Sequence, residues 1–572
     1  RRAGVLIRAD CGGKHKCGTC LVLVTPEALA AGLLSPPAAE EKLLLDKRLD
    51  ASRVRLACLT EVYGDVTVTI PPESRITDAA AFKTRTRQLK ALRPAVSRIL
   101  LSLDSRSGSE SPQPWLVRTQ GLLARRLPGK RVMGPSLLDL ADFARQPGAE
   151  DCREVTVTLF QGREVIQLRP GARSEIYGVA VDVGTTSLAV LLCDLSSGGV
   201  IAAKSLTNPQ INYGEDVNSR ISQVQTDPDN LSVLHESLIK GINELIDQSA
   251  KEAGIRFDDI LDVVVVGNPT MMHFFLGINP FALGRAPFLP LFYGGEEVSA
   301  GNLHLHVHDK ARVHLPPLLS GYVGSDTLAS LMALGPRFFK GTSLLMDIGT
   351  NGELVLSQEG VLTATSCATG PAFEGAQIRC GMRASPGAIE RVSLDKATGE
   401  FHFQVVGGTG QREPDGAFNQ DTPHPSLHLA GESKVPEVVL VPPSQSQSGR
   451  EIVLQQADIR ALQLGKAALR AGAEILMKQA GVVRLDRIFL AGAFGSNLDP
   501  CDCLNLGMLP PIDPERIEFV GNAAGDGAMM ALLNRTVRRQ AMKLAGRIRV
   551  VDLGSHPDFQ QLFIQNMRLS AE

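Results

Sequence analysis

One short phrase occurs twice in this chain, as Asp182-Val183-Gly184-Thr185-Thr186 and as Asp347-Ile348-Gly349-Thr350-Asn351, each entered from one apolar run and left by another. Val179, Val181 and Val183, then Leu188, Val190 and Leu192, predict two buried strands joined by a tight turn. Residues 343–348 and 354–356 repeat the layout. Gly184 and Gly349 let the backbone approach a ligand, and the Thr and Asn residues behind them add hydroxyl or amide groups to a turn whose free N–H groups can cradle phosphate. Asp182 and Asp347 are then placed to hold Mg2+ through water or to orient an attacking water. Either copy alone reads equally well as an ordinary hairpin turn. As a pair they predict two related half-domains gripping one nucleotide.

The order of the other elements sharpens this reading. Gly321-Tyr322-Val323-Gly324-Ser325-Asp326-Thr327 leads into a helical 328–334 just before the second copy. Ile488-Phe489-Leu490-Ala491-Gly492-Ala493-Phe494-Gly495-Ser496 follows well after it, and Gly521-Asn522-Ala523-Ala524-Gly525 opens a last helix. From Tyr177 to the C-terminus this order resembles the actin, Hsp70 and sugar kinase superfamily. The resemblance implies a duplicated ATPase domain over 176–572 that binds ATP with Mg2+. Gly184, Thr185, Thr186, Gly349, Thr350, Asn351 and Gly352 would hold the phosphates, and Gly492, Ala493, Phe494, Gly495 and Ser496 would face the adenosine. Glu353 and Glu374 are candidates for polarising water, against a plainer reading in which Glu353 begins a strand and Glu374 caps a helix. His273, a lone His after two Met residues, reads more naturally as a satisfied core residue.

Ten cysteines are present, and four are not scattered. Cys11, Cys17 and Cys20 share the loop Cys11-Gly12-Gly13-Lys14-His15-Lys16-Cys17-Gly18-Thr19-Cys20, and Cys58 stands apart in Arg55-Leu56-Ala57-Cys58-Leu59. Three thiolates on a glycine-bearing loop plus a remote fourth is the arrangement that holds a [2Fe-2S] cluster in plant-type and adrenodoxin-like ferredoxins. The glycines leave N–H groups to hydrogen-bond the sulfides and tune the potential. Structural zinc more often pairs two short knuckles, and disulfides fit poorly with a chain that reads as cytosolic and carries other unpaired thiols. Leu21-Val22-Leu23-Val24 and Asp65-Val66-Thr67-Val68-Thr69-Ile70 predict strands of a small beta-grasp module over 1–75. Its first hairpin is expected to be missing, because the chain opens at Arg1, without an initiator Met, in what should be the preceding helix. Cys152, Cys193, Cys367 and Cys380 read as small buried hydrophobes, and Cys501 and Cys503 around Asp502 make a weak metal candidate.

Between the two ends, 83–103 is basic and reads as helical, 105–114 is rich in Ser, Gly and Pro, and 136–146 reads as helix. Glu154-Val155-Thr156-Val157-Thr158-Leu159 alternates as a strand. These predict a linker over 76–104, giving the redox module reach, and a small middle domain over 105–175. The predicted whole is a multidomain chain of α/β and α+β type. Its 572 residues leave room for several domains. A formal net charge of -2 offers no strong field for nucleic acid or anionic lipid. No apolar stretch nears the ~18 residues a membrane helix needs. Neither a GxGxxG unit nor a P-loop lysine motif supports a nicotinamide or flavin reductase domain, so electrons are expected from a separate reductant.

A ferredoxin-like module, a linker, a small middle domain and a duplicated ATPase-like domain together resemble the reductive activators of corrinoid-dependent methyltransferases, including those of O-demethylase systems. Gly267-Asn268-Pro269-Thr270-Met271-Met272-His273, Ala368-Thr369-Gly370-Pro371-Ala372-Phe373-Glu374-Gly375-Ala376 and Gln463-Leu464-Gly465-Lys466-Ala467-Ala468 are similar to that family. The resemblance implies that Cys11, Cys17, Cys20 and Cys58 carry an electron to an inactive Co(II) corrinoid protein and return it to Co(I). ATP supplies the uphill step through a change of shape. It implies a cytoplasmic protein whose partners are that corrinoid protein and an external donor such as a ferredoxin or flavodoxin, with a homodimer left open and neither nucleic acid nor membrane involved. Two other classes stay open: a small-molecule kinase with a fused redox sensor, and an electron carrier whose ATPase domain has become a docking scaffold. Two departures from the family stand out. His15 replaces a glycine, and 398–449, with Asp415-Gly416-Ala417-Phe418-Asn419-Gln420-Asp421 and a Pro- and Ser-rich run, reads as loop and lacks the Gly-Ser-Gly turn expected to help close the nucleotide site.

Overall fold

The computed structural model describes residues 20–45, 53–70, 92–103, 114–375, 378–381, 389–394, 401–405, 427–429, 436–441, 451–492 and 498–569. In the first module β1 (Leu21–Val24) lies between β2 (Val54–Leu56) and β3 (Val68–Thr69), antiparallel to both. Leu21, Leu56 and Leu45 form its small core with Cys20. Leu45 ends a helix, Ala39–Leu45, whose Glu41 is wholly buried. Arg55 donates to both Glu41 oxygens, at 2.9 and 3.0 Å, and the Leu56 N–H donates at 2.7 Å. A buried pair is tolerable only with such bidentate geometry, and this one anchors the strand that leads into Cys58. The strand expected over 65–70 shrinks to two exposed residues, Val68 and Thr69. Residues 1–19, expected to hold the end of the preceding helix and most of the cluster loop with His15, lie outside the described residues.

The small middle domain is an antiparallel sheet of β4 (Val96–Ser102), β5 (Glu154–Phe160) and β6 (Glu164–Pro170), covered by helices Trp115–Arg126 and Leu137–Ala144. The expected helix over 83–103 and the domain start at 105 are therefore corrected, since β4 belongs to this sheet. Val96 and Leu101 are buried in it, while Arg98 reaches Gln167 at 3.2 Å and Asp259 at 3.8 Å, so a residue from the stretch read as a basic helix makes an interface. Residues 76–91 of the expected linker lie outside the described residues. The domain is fastened to the neighbouring lobe. Arg169 faces Asp258 and Asp259 at 3.7 and 3.9 Å, Gln167 donates to the Asp258 carbonyl at 2.8 Å, and Lys310–Asp139 and Arg312–Glu164 are ion pairs.

Two six-stranded sheets follow, built on one plan. In the first, β7 (Tyr177–Val183), β8 (Ser187–Asp194) and β9 (Val200–Thr207) form an antiparallel meander. β10 (Ile260–Gly267) then adds parallel to β7, and β11 (Glu296–Ser299) and β12 (Arg312–Leu315) complete the order β11-β12-β10-β7-β8-β9. In the second, β13 (Thr342–Ile348), β14 (Gly352–Gln358) and β15 (Val361–Cys367) repeat the meander. An insertion carries a hairpin, β16 (Ile389–Leu394) and β17 (Phe401–Val405), and a sheet of β18 (Leu427–Leu429), β19 (Pro436–Val441) and β20 (Ile452–Gln455). β21 (Arg487–Ala491), β22 (Ile517–Gly521) and β23 (Ile548–Val550) then give β22-β21-β13-β14-β15-β23, with β21 parallel to β13.

Each meander is followed by a 24-residue helix, Asn230–Ala253 or Gln456–Gln479, laid on it, and the outer parallel strands lead to the crossing helices Ser325–Leu334 and Ala523–Leu533. Such parallel strands are buried on both faces, and every residue of β10 is. Two readings are corrected here. The helix opened at Asn522 is not the last, since Asn534 caps another, Arg535–Ala545, and Phe559–Gln565 follows. The stretch 398–449 is not all loop, since β17, β18 and β19 lie in it. Residues 415–421 and the run 442–446 fall outside the described residues.

Candidate functional site

The duplicated phrases become the turns between β7 and β8 and between β13 and β14. Each is locked from its own lobe. In the first, Asn208 donates to the Gly184 carbonyl at 2.9 Å, and the wholly buried Arg220 donates to the Thr185 carbonyl at 2.6 Å. In the second, the Thr369 hydroxyl lies 3.0 Å from the Gly349 carbonyl and 2.8 Å from that of Thr350. The turns meet across the cleft, the Thr186 and Thr350 hydroxyls being hydrogen-bonded at 2.9 Å. Gly352, the register partner of Ile348, is pressed so close that a Cβ would stand 2.4 Å from Leu469. Asn351 lies within the second turn, its carbonyl 3.1 Å from the Gly349 N–H.

Asp182 and Asp347 occupy matching positions at the ends of β7 and β13. Burial, and then the carboxylate of Asp326, push Asp182 up to about 7. The same two causes push Asp347 up to about 7. Asp326, in the first turn of Ser325–Leu334, is itself pushed up to about 6 by burial. Glu353 is raised well above the usual range, by burial first and then by Asp326 and Asp347. Glu353 is the register partner of Asp347, whereas Ala189 faces Asp182, so the two halves differ by one carboxylate. All four side chains keep partial solvent contact. They raise one another's charge cost, a mutual repulsion that a cation would relieve.

Their hard oxygens suit Mg2+. Among the described residues no three His, Cys, Asp or Glu side chains stand close enough to hold an ion directly, so a bound Mg2+ would keep waters and draw its other ligands from phosphate. Asn522, which caps Ala523–Leu533, reaches Asp182 from the second lobe. Sequence reasoning quoted Asp326 and Asn522 inside longer phrases without assigning either a role. Their signal was position, since each stands at the start of a helix that follows a parallel strand.

Gly492 adopts φ +91, and a Cβ there would lie 2.6 Å from the Ile348 carbonyl, so the chain leaving β21 needs glycine to pass the second turn. Ala493, Phe494, Gly495 and Ser496 lie outside the described residues, and so does the Glu374 side chain. His273 is a satisfied core residue: Nδ1 lies 2.7 Å from the Pro269 carbonyl and Nε2 accepts from the Leu291 N–H at 3.0 Å. The phrase at 463–468 has a structural use, with Lys466 buried and donating to the Leu506 carbonyl at 2.8 Å and Gln463 to that of Met567 at 3.0 Å.

Of the four candidate cluster ligands, Cys11 and Cys17 lie outside the described residues. Cys20 and Cys58 meet. Their thiols are hydrogen-bonded, which, against burial, lowers Cys20 to about 7, and the Ala57 N–H donates to the Cys20 carbonyl at 2.9 Å. Two thiols brought together by distant segments, one already disposed to ionise, fit thiolate ligation of a cluster. Cys501 is exposed and Cys503 buried on the helix Pro500–Asn505.

Comparison with known proteins gives the family. Residues 1–63 match a model of the 2Fe-2S iron-sulfur cluster binding domain, 177–336 a model of the RACo middle region, and 341–416 with 409–572 a model of the C-terminal ASKHA domain of RACo. The corrinoid activation enzyme RamQ of Eubacterium limosum is 33% identical over 71% of this chain and 73% of its own. A reductase of Methanosarcina barkeri, for the Co(II) methylated amine-specific corrinoid protein, is 24% identical over 65% of this chain and 73% of its own. The solved structure of a reductive activator for corrinoid, iron-sulfur protein superposes with a TM-score of 0.73 at 30% identity, covering 99% of this chain and 94% of that one. With a ferredoxin-type module at its start and two ASKHA-type lobes closing on a carboxylate-lined cleft, the chain belongs to the family of RACo-type reductive activators of corrinoid proteins.

Proposed function

We propose that this chain is an ATP-dependent reductive activator that passes an electron from a [2Fe-2S] cluster to the Co(II) of a corrinoid protein and regenerates Co(I) for methyl transfer. The observation that carries the reading is the union, in one chain, of the Cys20–Cys58 thiol pair with two lobes whose turns meet at Thr186 and Thr350. Cys11, Cys17, Cys20 and Cys58 would hold the cluster, which supplies a one-electron carrier when bound. Gly184, Thr185, Thr186, Gly349, Thr350, Asn351 and Gly352 would receive the phosphates of ATP, and Gly492 to Ser496 the adenosine. Asp182 and Asp347 would orient water and hold Mg2+ through its waters, with Glu353 polarising the attacking water and Asp326 completing the charge.

The Co(II)/Co(I) step is uphill from a ferredoxin-type potential. The driving force therefore comes from nucleotide states that bind the two lobe arrangements with different affinity. The remaining partner is an external donor of ferredoxin or flavodoxin type, and the place is the cytoplasm, where low-potential thiol chemistry persists. Among the described residues no helix is long and apolar enough to cross a membrane.

The test is anaerobic reconstitution of the full chain with iron and sulfide, with Cys58→Ser as control, followed by spectroscopy of a Co(II) corrinoid protein with and without Mg·ATP. Co(I) absorption is expected only with wild type and ATP together. Equal reduction without nucleotide overturns the proposal, and phosphorylation of an added small acceptor in its place favours the kinase class.

A further inference from the structure

The phrase Gly267-Asn268-Pro269-Thr270-Met271-Met272-His273 has no part in the chemistry described above, yet it ends beside the first turn. Gly267 is the register partner of Val183 at the last pairing of β10 with β7, so Asn268 leaves the sheet next to Gly184 and Thr185. Its amide is used at both ends. Oδ1 accepts the Met271 N–H at 3.0 Å and caps the helix Pro269–Phe275. Nδ2 donates to Thr185 Oγ1 at 2.9 Å in a buried contact. Thr185 is thus held from within its lobe twice over, its carbonyl by Arg220 and its hydroxyl oxygen by Asn268.

A hydroxyl that accepts an N–H must send its own proton elsewhere. The hydrogen bond from Asn268 fills the inner side of Thr185 Oγ1, so its O–H is left to donate away from Asn268. The same asparagine also fixes the entry of the helix bearing Asp326: a Cβ on Gly324 would stand 2.6 Å from the Asn268 Cα, and the Ser325 hydroxyl lies 3.1 Å from both the N–H and the carbonyl of Gly267. One side chain therefore sets the aim of a phosphate-turn hydroxyl, and its backbone backs the strand-to-helix step that carries a cleft carboxylate.

We propose that Asn268 is a positioning residue for nucleotide: by donating to Thr185 Oγ1 it directs the Thr185 O–H at a phosphate oxygen of bound ATP. The inference rests on reading the 182–186 turn as a phosphate turn.

The experiment measures Mg·ATP affinity by calorimetry, and the melting temperature of the nucleotide-free protein, for the full chain carrying Asn268→Ser, Thr185→Val, or both. Serine is as good a helix cap as asparagine but too short to reach Thr185, so helix stability stays and only the aim is lost. The expected result is about tenfold weaker ATP binding by Asn268→Ser with little change in melting temperature, the size expected of one hydrogen bond to a charged group. In the Thr185→Val background the same substitution should weaken binding no further, because its effect runs through that hydroxyl.

Undiminished affinity in Asn268→Ser overturns the positioning role, as does an equal loss in both backgrounds. Should the serine variant fail to fold, Asn268→Thr, which caps through another short hydroxyl, carries the same comparison. A wild-type chain that binds no Mg·ATP overturns the phosphate-turn reading, and the positioning role with it.

Discussion

At the scale of single residues, the cleft carboxylates dominate what can be measured. Asp182 and Asp347 lie at about 7 in the folded chain against 3.8 for the free side chain. Between about pH 4 and pH 7 the folded state holds protons that the unfolded state has lost, so this pair lowers stability as pH rises through that window. Asp182→Asn removes one such group. Relative to wild type, the variant should melt higher at about pH 8 than it does at about pH 5, and it should lose ATP-dependent Co(I) formation at both. A variant whose melting advantage does not grow with pH would show that Asp182 titrates normally. Binding of Mg·ATP near pH 6 to 7 should also release protons, measurable as a calorimetric enthalpy that depends on buffer. At the module end, Cys58→Ser should abolish the visible absorption of the reconstituted cluster while leaving the ATPase lobes with their wild-type melting transition. The Asp-x-Gly-Thr turns and the thiols were legible as residues because each is tied to a fixed chemistry. Asp326 and Asn522 were not, because their charge and polarity matter only through a fold that brings both to Asp182, far away in sequence.

Elements carry a second set of consequences. The crossing helices Ser325–Leu334 and Ala523–Leu533 approach so closely that a Cβ on Gly527 would lie 2.0 Å from the Ala329 carbonyl. Gly527→Ala should push them apart, at a cost of about 1–3 kcal/mol, and lower the melting temperature by several degrees. Because these helices join the lobes, nucleotide affinity should fall as well. An unchanged melting curve would mean that the crossing is loose. The paired strands flanking each turn were readable from apolar periodicity, since residues such as Val179, Val181 and Val183 have no other home than a buried sheet, whereas the third strand of each meander was not read. The failures came where an element is polar for the sake of a neighbour. Arg98 in β4 fell in a stretch read as a basic helix and instead faces Asp259, and β18 and β19 sit in a Pro- and Ser-bearing stretch whose composition masked them.

On the scale of the whole molecule, the small middle domain and the first lobe share an interface held by Arg169 with Asp258 and Asp259 and by the pairs Lys310–Asp139 and Arg312–Glu164. Half-exposed ion pairs are individually worth only about 0.2–1 kcal/mol, so the fastening depends on their number. Glu164→Gln combined with Asp139→Asn should leave ATP affinity unchanged while amides of β6 and β12 exchange hydrogen faster, and unaltered exchange would show that apolar contacts alone hold the seam. The consequence is mechanical. An extension fastened to one jaw of a clamp turns with that jaw, so a small rotation at the pivot becomes a wider sweep at the tip of the extended arm. In the proposed cycle, a protein resting against the outer face of that arm would be displaced farther than the 182–186 and 347–351 turns themselves.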